Sequence, residues 1–261
     1  MADILSTIAD AARVRVASSK EKISASAMMD LAYSSGKGEF SFEKVLKKEG
    51  MSFICECKKA SPSKGVIAEV FPYLDIARDY EKAGASAISV LTEPQWFKGD
   101  IRYLEEIASE VSIPCLRKDF TVDEYMIYEA KARGASAVLL ICSILTSREI
   151  GRYISIADEL GLSALVEAHD HNEVQIALGE GARVIGVNNR NLKDFTVDPL
   201  NCLRLREYVP GSVAFVAESG VKTKEEIDRL LINKVDAVLI GESVMRASDK
   251  AAFLNELRGI S

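Results

Sequence analysis

Two lysines in this chain stand where they could act on one reacting group. The first lies in Cys55-Glu56-Cys57-Lys58-Lys59-Ala60-Ser61-Pro62-Ser63-Lys64-Gly65, directly after a short apolar run. Successive side chains of an extended segment point to opposite faces, so Glu56 and Lys58 share one face and Cys55 and Cys57 the other. A carboxylate and an ammonium buried together favour each other's charged forms. Taken alone, the pair reads equally as a structural ion pair. The second lysine ends Leu116-Arg117-Lys118-Asp119-Phe120. A lone lysine there would be a solvated rim residue. Facing Lys58, it would lose proton affinity, and an acidic ligand would restore the balance.

Four further runs end in polar residues. Leu165-Val166-Glu167-Ala168-His169 offers Glu167 as a base, or as an exposed loop acid. Val187-Asn188-Asn189-Arg190 places Asn188 and Arg190 on one side, where Asn can fix a hydroxyl and Arg a carboxylate or phosphate. Ala217-Glu218-Ser219-Gly220 and Ile240-Gly241-Glu242-Ser243 are short Ser/Gly turns whose backbone N–H groups could cradle a phosphate. Glu242 could do so only through its backbone, because its carboxylate repels the anion. Trp96 and Phe97 could wall an aromatic substrate or cap the core. His169 and His171 lack a partner set with zinc-ligand spacing, so no metal is expected.

Those residues need a frame. Eight short apolar runs recur at intervals of one strand, one helix and two loops: Phe53–Cys57, Ala87–Leu91, Pro114–Arg117, Ala137–Ile141, Ala164–Glu167, Val184–Val187, Ala214–Ala217 and Ala237–Ile240. Between them, Ile101, Leu104, Ile107, Ala108 and Val111 trace a helical stripe. Thr121-x-x-Glu124, Thr146-x-x-Glu149 and Thr223-x-x-Glu226 read as capping boxes, with Asp170-x-x-Glu173 a near variant. Gly84, Gly134, Gly161 and Gly181 stand where helices would stop. Gly84-Ala-Ser-Ala-Ile88, Gly134-Ala-Ser-Ala-Val138 and Gly181-Ala-Arg-Val-Ile185 repeat one helix-to-strand junction.

Alternating β and α predicts a parallel sheet covered by helices, and eight units fit a closed (β/α)₈ TIM barrel better than an open sheet. No G-x-G-x-x-G follows the first strand, which argues against a dinucleotide fold. Barrels of this kind carry chemistry at the C-terminal strand ends, with phosphate after strands seven and eight. The polar residues at the ends of the apolar runs fall at those positions. Residues 1–48 precede the first strand, and Ile4, Leu5, Ile8, Ala12 and Val16 form one stripe. They predict a helical extension packed on a 49–261 barrel; periodicity does not say whether it plugs the bottom or roofs the top.

Composition narrows the class. The 261 residues are 48% hydrophobic and 28% charged, as expected for a globular chain. A net charge of −6 makes nucleic-acid binding by bulk charge a poor reading. The longest apolar stretch, Ala137 to Leu145, falls far short of the roughly 20 residues a membrane helix needs. No export signal opens the chain, and the five cysteines lie in apolar runs without a C-x-x-C, as reduced packing residues would. The expectation is a soluble cytoplasmic protein. Association with a second copy or with a pathway enzyme stays open.

CECKKASPSKG (Cys55–Gly65) resembles the first-strand signature of the indole-3-glycerol-phosphate synthases. So do LTEPQWFKG (Leu91–Gly99), LRKDF (Leu116–Phe120), LVEAHD (Leu165–Asp170), GVNNRNL (Gly186–Leu192), VAESG (Val216–Gly220) and LIGESVMR (Leu239–Arg246), in order and one per strand end. The resemblance implies a decarboxylating, dehydrating ring closure in tryptophan biosynthesis. The substrate would be the phosphorylated 1-(2-carboxyphenylamino)-1-deoxyribulose 5-phosphate, and no cofactor or metal is implied. It also implies that Lys118 is the general acid on the carbonyl, Glu167 a base in dehydration, Lys58 the partner of the anthranilate carboxylate and Glu56 the acid holding the lysines. Ser61, Asn188, Arg190 and Glu218 would contact the substrate, Phe97 and Phe120 its ring, and Ser219, Gly220, Gly241 and the Glu242 backbone its phosphate. Whether Lys58 or Lys118 donates the dehydration proton is left open. The rival readings are a Schiff-base aldolase or an isomerase on the same barrel, or a phosphate-binding barrel without turnover.

Overall fold

The structure is a computed structural model and describes residues 4–191 and 195–260; Leu192, at the end of one motif above, lies outside them. Eight parallel strands close on themselves in chain order: β1 (Ser52–Cys57), β2 (Ala87–Leu91), β3 (Cys115–Lys118), β4 (Ala137–Ile141), β5 (Ser163–Ala168), β6 (Val184–Asn188), β7 (Ala214–Glu218) and β8 (Ala237–Ile240). Closure is made by β8 on β1, with Ser52 opposite Ala237 and Cys55 opposite Ile240. All eight predicted runs are strands, shifted by a residue at most at either end. The barrel is the expected one.

Each strand feeds two cores, because its side chains alternate in direction. Ile54, Leu116, Leu139, Leu165, Val216 and Leu239 fill the barrel interior. Phe53, Cys55, Cys57, Ile88, Val138 and Val166 pack outward against the surrounding helices. The five cysteines are buried and free. Glu56 continues the inward row of Ile54, which carries its carboxylate to the barrel mouth.

The outer layer follows chain order as α4 (Tyr73–Lys82), α5 (Ile101–Glu110), α6 (Tyr125–Ala132), α7 (Ser147–Leu160), α8 (His171–Gly179), α9 (Asn201–Arg206), α10 (Lys224–Ile232), α11 (Glu242–Arg246) and α12 (Lys250–Arg258). Thr146/Glu149 and Thr223/Glu226 form reciprocal capping boxes, and Asp170 accepts the Glu173 N–H. The four helix-ending glycines take positive φ. One expected cap is absent. Thr121 caps nothing: it is buried, and α6 starts at Tyr125, whose N–H donates to Asp123 Oδ1 (2.9 Å). Glu124 turns outward to Arg152 instead. The loop after β3 is long enough to let a nearer carboxylate take the role.

Before β1 come α1 (Ile4–Lys22), α2 (Ala25–Ser34) and α3 (Ser41–Leu46). The first and third of them lie at opposite ends of the barrel, and α2 packs against α6. Ile4, Leu5 and Ile8 of α1 reach the cavity at the C-terminal strand ends. Arg15 fastens that helix to Asp119 Oδ1 (2.6 Å), and Lys20 to Asp123 (2.7 Å). At the opposite end the Glu43 N–H of α3 donates to Ser163 Oγ (3.2 Å), and Ser52 Oγ to the Val45 carbonyl (2.9 Å). Both serines open their strands, so α3 closes the bottom. Among the described residues no helix is long and apolar enough to cross a membrane.

Candidate active site

The C-terminal strand ends open into a cavity of about 710 Å³. Its wall includes Glu56, Lys58, Ser61, Phe97, Lys118, Phe120, Glu167, Asn188, Arg190, Glu218, Ser219, Gly220, Gly241 and Glu242, all expected there from the sequence, whereas Trp96, His169 and His171 do not line it. Strand geometry brings them there. Residues at the last inward position of separate strands converge, although the chain separates Lys58 from Glu218 by most of its length.

A charged cluster forms the floor. Lys58, one residue past the end of β1, is ion-paired with Glu56 two positions back on the same face. Lys118 Nζ lies 3.3 Å from Glu167 Oε2 and 3.6 Å from Glu218 Oε2. The three glutamates are 1–3% exposed. Burial pulls the Lys118 pKa down, yet Glu167, Glu218 and Glu56 outweigh it and keep the ammonium firmly protonated. Burial pushes Glu167 toward neutrality, but Lys118 and His169 reverse that and hold it ionised. Glu218 goes the other way: burial and repulsion from Glu167 push it up to about 8. Two buried carboxylates beside one ammonium cannot both stay charged at low cost. Near neutral pH, Glu167 is thus the anion and Glu218 the protonated partner.

Polar residues set the orientation of this cluster. Asn188 Nδ2 donates to Glu167 Oε1 (3.3 Å), while Asn188 Oδ1 accepts the Arg190 N–H (3.0 Å). Asn189 points the other way, and its amide bridges the Ser219 carbonyl and the Cys202 N–H. That bridge ties the β6 loop to the turn after β7. On the opposite wall Phe97 and Phe120 sit with ring centroids 6.3 Å apart. Glu93, 1% exposed, holds the Phe97 loop by accepting the N–H groups of Gln95, Trp96 and Phe97. Phe97 faces the cavity, and Trp96 packs beside it on the interior core.

The two Ser/Gly turns line the rim. Ser219 and Gly220 both adopt positive φ, 66° and 84°. A Cβ on Gly241 would lie 2.5 Å from Glu56 Oε1 and 3.0 Å from Lys58 Nζ, so only glycine lets the turn approach that ion pair. Glu242 pairs with Arg246 (3.2 Å), which draws its carboxylate aside. Lys64, Lys222 and Arg246 add positive charge around the opening.

Two residues matter here that sequence reading passed over. Asp119 accepts from Arg15, Thr92 and its neighbour's Phe120 N–H, and so ties α1 to the β3 end. His169 stands behind Glu167, its Nε2 3.4 Å from Glu167 Oε1. The signal for it was present: Glu167 and His169 are two apart on an extended run, and therefore share a face.

The chain is thus a (β/α)₈ barrel that gathers paired ammonium and carboxylate groups, two aromatic rings and two glycine turns at the C-terminal strand ends, the face on which enzymes of this fold carry their active sites. The sequence model of the family described as indole-3-glycerol phosphate synthase matches residues 5–257. Proteins of that name from Ruminiclostridium cellulolyticum and Endomicrobium trichonymphae are 54% and 52% identical, each aligned over 98% of this chain and 99% of its own length. The chain belongs to the indole-3-glycerol phosphate synthase family. Among solved structures, 3-hexulose-6-phosphate synthase from Salmonella typhimurium (TM-score 0.65, 16% identity, 80% of this chain and 97% of that one) shares the barrel. So does thiamine phosphate pyrophosphorylase from Pyrococcus furiosus (0.59, 19%, 84% and 96%).

Proposed function

We propose that this cavity closes the pyrrole ring of 1-(2-carboxyphenylamino)-1-deoxyribulose 5-phosphate, releasing carbon dioxide and water to leave indole-3-glycerol phosphate. The convergence of Lys118 and Glu167 on one apolar-walled space carries the reading. Attack of the aryl carbon on the ketone interrupts aromaticity, so the carbonyl must be activated by a proton donor. Lys118, kept charged by the surrounding acids, is that donor, and such a group is worth about 10²- to 10⁴-fold. Lys58 engages the anthranilate carboxylate, with Glu56 holding it in place. The bond to the carboxylate then breaks: its electron pair passes into the cationic ring, restoring aromaticity, and carbon dioxide departs.

Dehydration follows. The former ketone oxygen needs two protons in all to depart as water, and the methylene beside the nitrogen gives up one. Glu167, the ionised acid of the cluster, takes that one. Per turnover the carboxylate form of the substrate therefore consumes one proton from solvent. Holding the aryl and ketone carbons at attack distance adds an entropic share. Phe97 and Phe120 supply that alignment against the ring; Ser61, Asn188, Arg190 and Glu218 fix polar groups; the Ser219–Gly220 and Gly241–Glu242 turns take the phosphate through their backbone.

The test is direct. Purified protein given the carboxyphenylamino substrate without added cofactor is expected to generate indole-glycerol fluorescence. Binding of the substrate without product would sink the reading in favour of a non-catalytic barrel.

A further inference from the structure

His169 has no part in the scheme above, yet it is built into the back of the site. Its Nδ1 faces Glu173 Oε2 at 3.2 Å, and the same carboxylate oxygen accepts the His169 backbone N–H at 2.7 Å. Asn201 Nδ2 donates to its carbonyl at 3.2 Å. The ring is thereby held by Glu173 of α8 and its backbone by Asn201 of α9, and Nε2 is left aimed at Glu167. That nitrogen is buried and makes no hydrogen bond of good geometry among the described residues; Glu167 Oε1 at 3.4 Å is its ion-pair neighbour. Glu167 consequently meets a cation from each side, Lys118 at Oε2 and the imidazole at Oε1, with the Asn188 amide also on Oε1.

We infer that His169 is a positioning residue for this reaction: braced by Glu173, its imidazole holds the Glu167 carboxylate in the orientation and charge state that proton abstraction requires. This rests on Glu167 being the base. The charge count supports it. Three buried acids, Glu56, Glu167 and Glu218, face two ammonium groups, Lys58 and Lys118. Because Glu218 holds its proton near neutral pH, Glu56 and Glu167 already offset the two ammonium groups, and a third cation beside Glu167 leaves the floor one positive charge in excess for an anionic substrate. The groups facing the imidazole are Glu167 from β5, Glu173 from α8 and Glu218 from β7, with Lys118 of β3 beyond Glu167. Burial opposes the charged ring, but the acids outweigh it, so protonation persists above the usual histidine range. An imidazolium there lowers the proton affinity of Glu167. Without it, that affinity must rise.

The test uses His169→Gln, which preserves bulk and polarity but no charge, beside Glu167→Gln. The chain has two histidines, so two imidazole signals appear by NMR, and His171→Gln assigns them. His169 is expected to titrate at lower pH in Glu167→Gln than in the parent. His169→Gln is expected to keep KM within about threefold, lose about 10- to 100-fold in kcat, and move the acid limb of the kcat profile to higher pH. A packing role alone would leave that limb in place. If Glu167→Gln abolishes turnover while His169→Gln leaves rate and limb unchanged, the inference fails and the base reading survives. Full turnover in Glu167→Gln overturns both. An unchanged His169 titration in that variant overturns the clamp, whatever the kinetics.

Discussion

Lys118 Nζ and Glu167 Oε2 stand 3.3 Å apart at the ends of β3 and β5, two strands that are not neighbours in the barrel. The pair spans β4, which ends in apolar Ile141, so the contact crosses the barrel mouth. This arrangement presents both groups, already in contact at 3.3 Å, to a substrate arriving from the open cavity. It also means that neither group depends on the other for its backbone position.

Lys118→Ala is expected to lower kcat by about two to four orders of magnitude, read by product fluorescence. Borohydride added with substrate should trap no covalent adduct in the parent protein. A trapped Lys58 or Lys118 adduct would favour a Schiff-base aldolase.

Glu167→Gln keeps the shape and the Asn188 contact. Substrate affinity should stay within about tenfold while turnover falls. A raised KM at unchanged kcat would argue for a binding role instead.

Glu218→Gln probes the raised carboxyl through stability. Folded Glu218 holds its proton up to about 8, above its ordinary 4.5, so between those values the native state binds more protons than the unfolded one. Stability contributed at this position therefore falls as pH rises through that window. The variant is expected to melt about 2–5 °C above the parent at pH 8.5 and level with it at pH 4.5. Equal melting shifts at both pH values would refute the buried-acid account.

Arg15→Ala removes the tie between α1 and Asp119. A charge-assisted contact of this kind contributes about 1–3 kcal/mol, so Tm should drop by a few degrees. Because Ile4, Leu5 and Ile8 of the same helix wall the cavity, KM should rise severalfold as well. Unchanged kinetics would show that α1 covers the mouth without shaping it.

Gly241→Ala places a methyl against the Glu56–Lys58 pair. The expected result is a higher KM from a displaced Lys58 and a smaller change in kcat. Calorimetric titration with a phosphorylated product analogue would read the same loss as weaker binding.

Much of the molecule could be read along the chain. Strand positions followed from apolar runs, and three of four caps from side chains within reach of the adjacent N–H. The inward row of Glu56 and Lys58 followed from two-residue alternation, and so did Asn188 with Arg190. Thr121 failed because Asp123 stood closer to the first helical N–H, a competition that spacing rules do not rank. His169 was passed over because zinc spacing was sought, while its partner lay two residues back on its own strand.

Local chemistry, repeated eight times, was enough to specify strands, helices and the residues at their ends, since each depends on neighbours within a few positions. Through-space matters were settled only on closure of the barrel. Folding sent α1 over the mouth and α3 under the floor, and it crowded Glu167, Glu218 and Lys118 so that one acid ionises and the other does not. Burial and Coulomb energy act across distances that sequence separation does not encode.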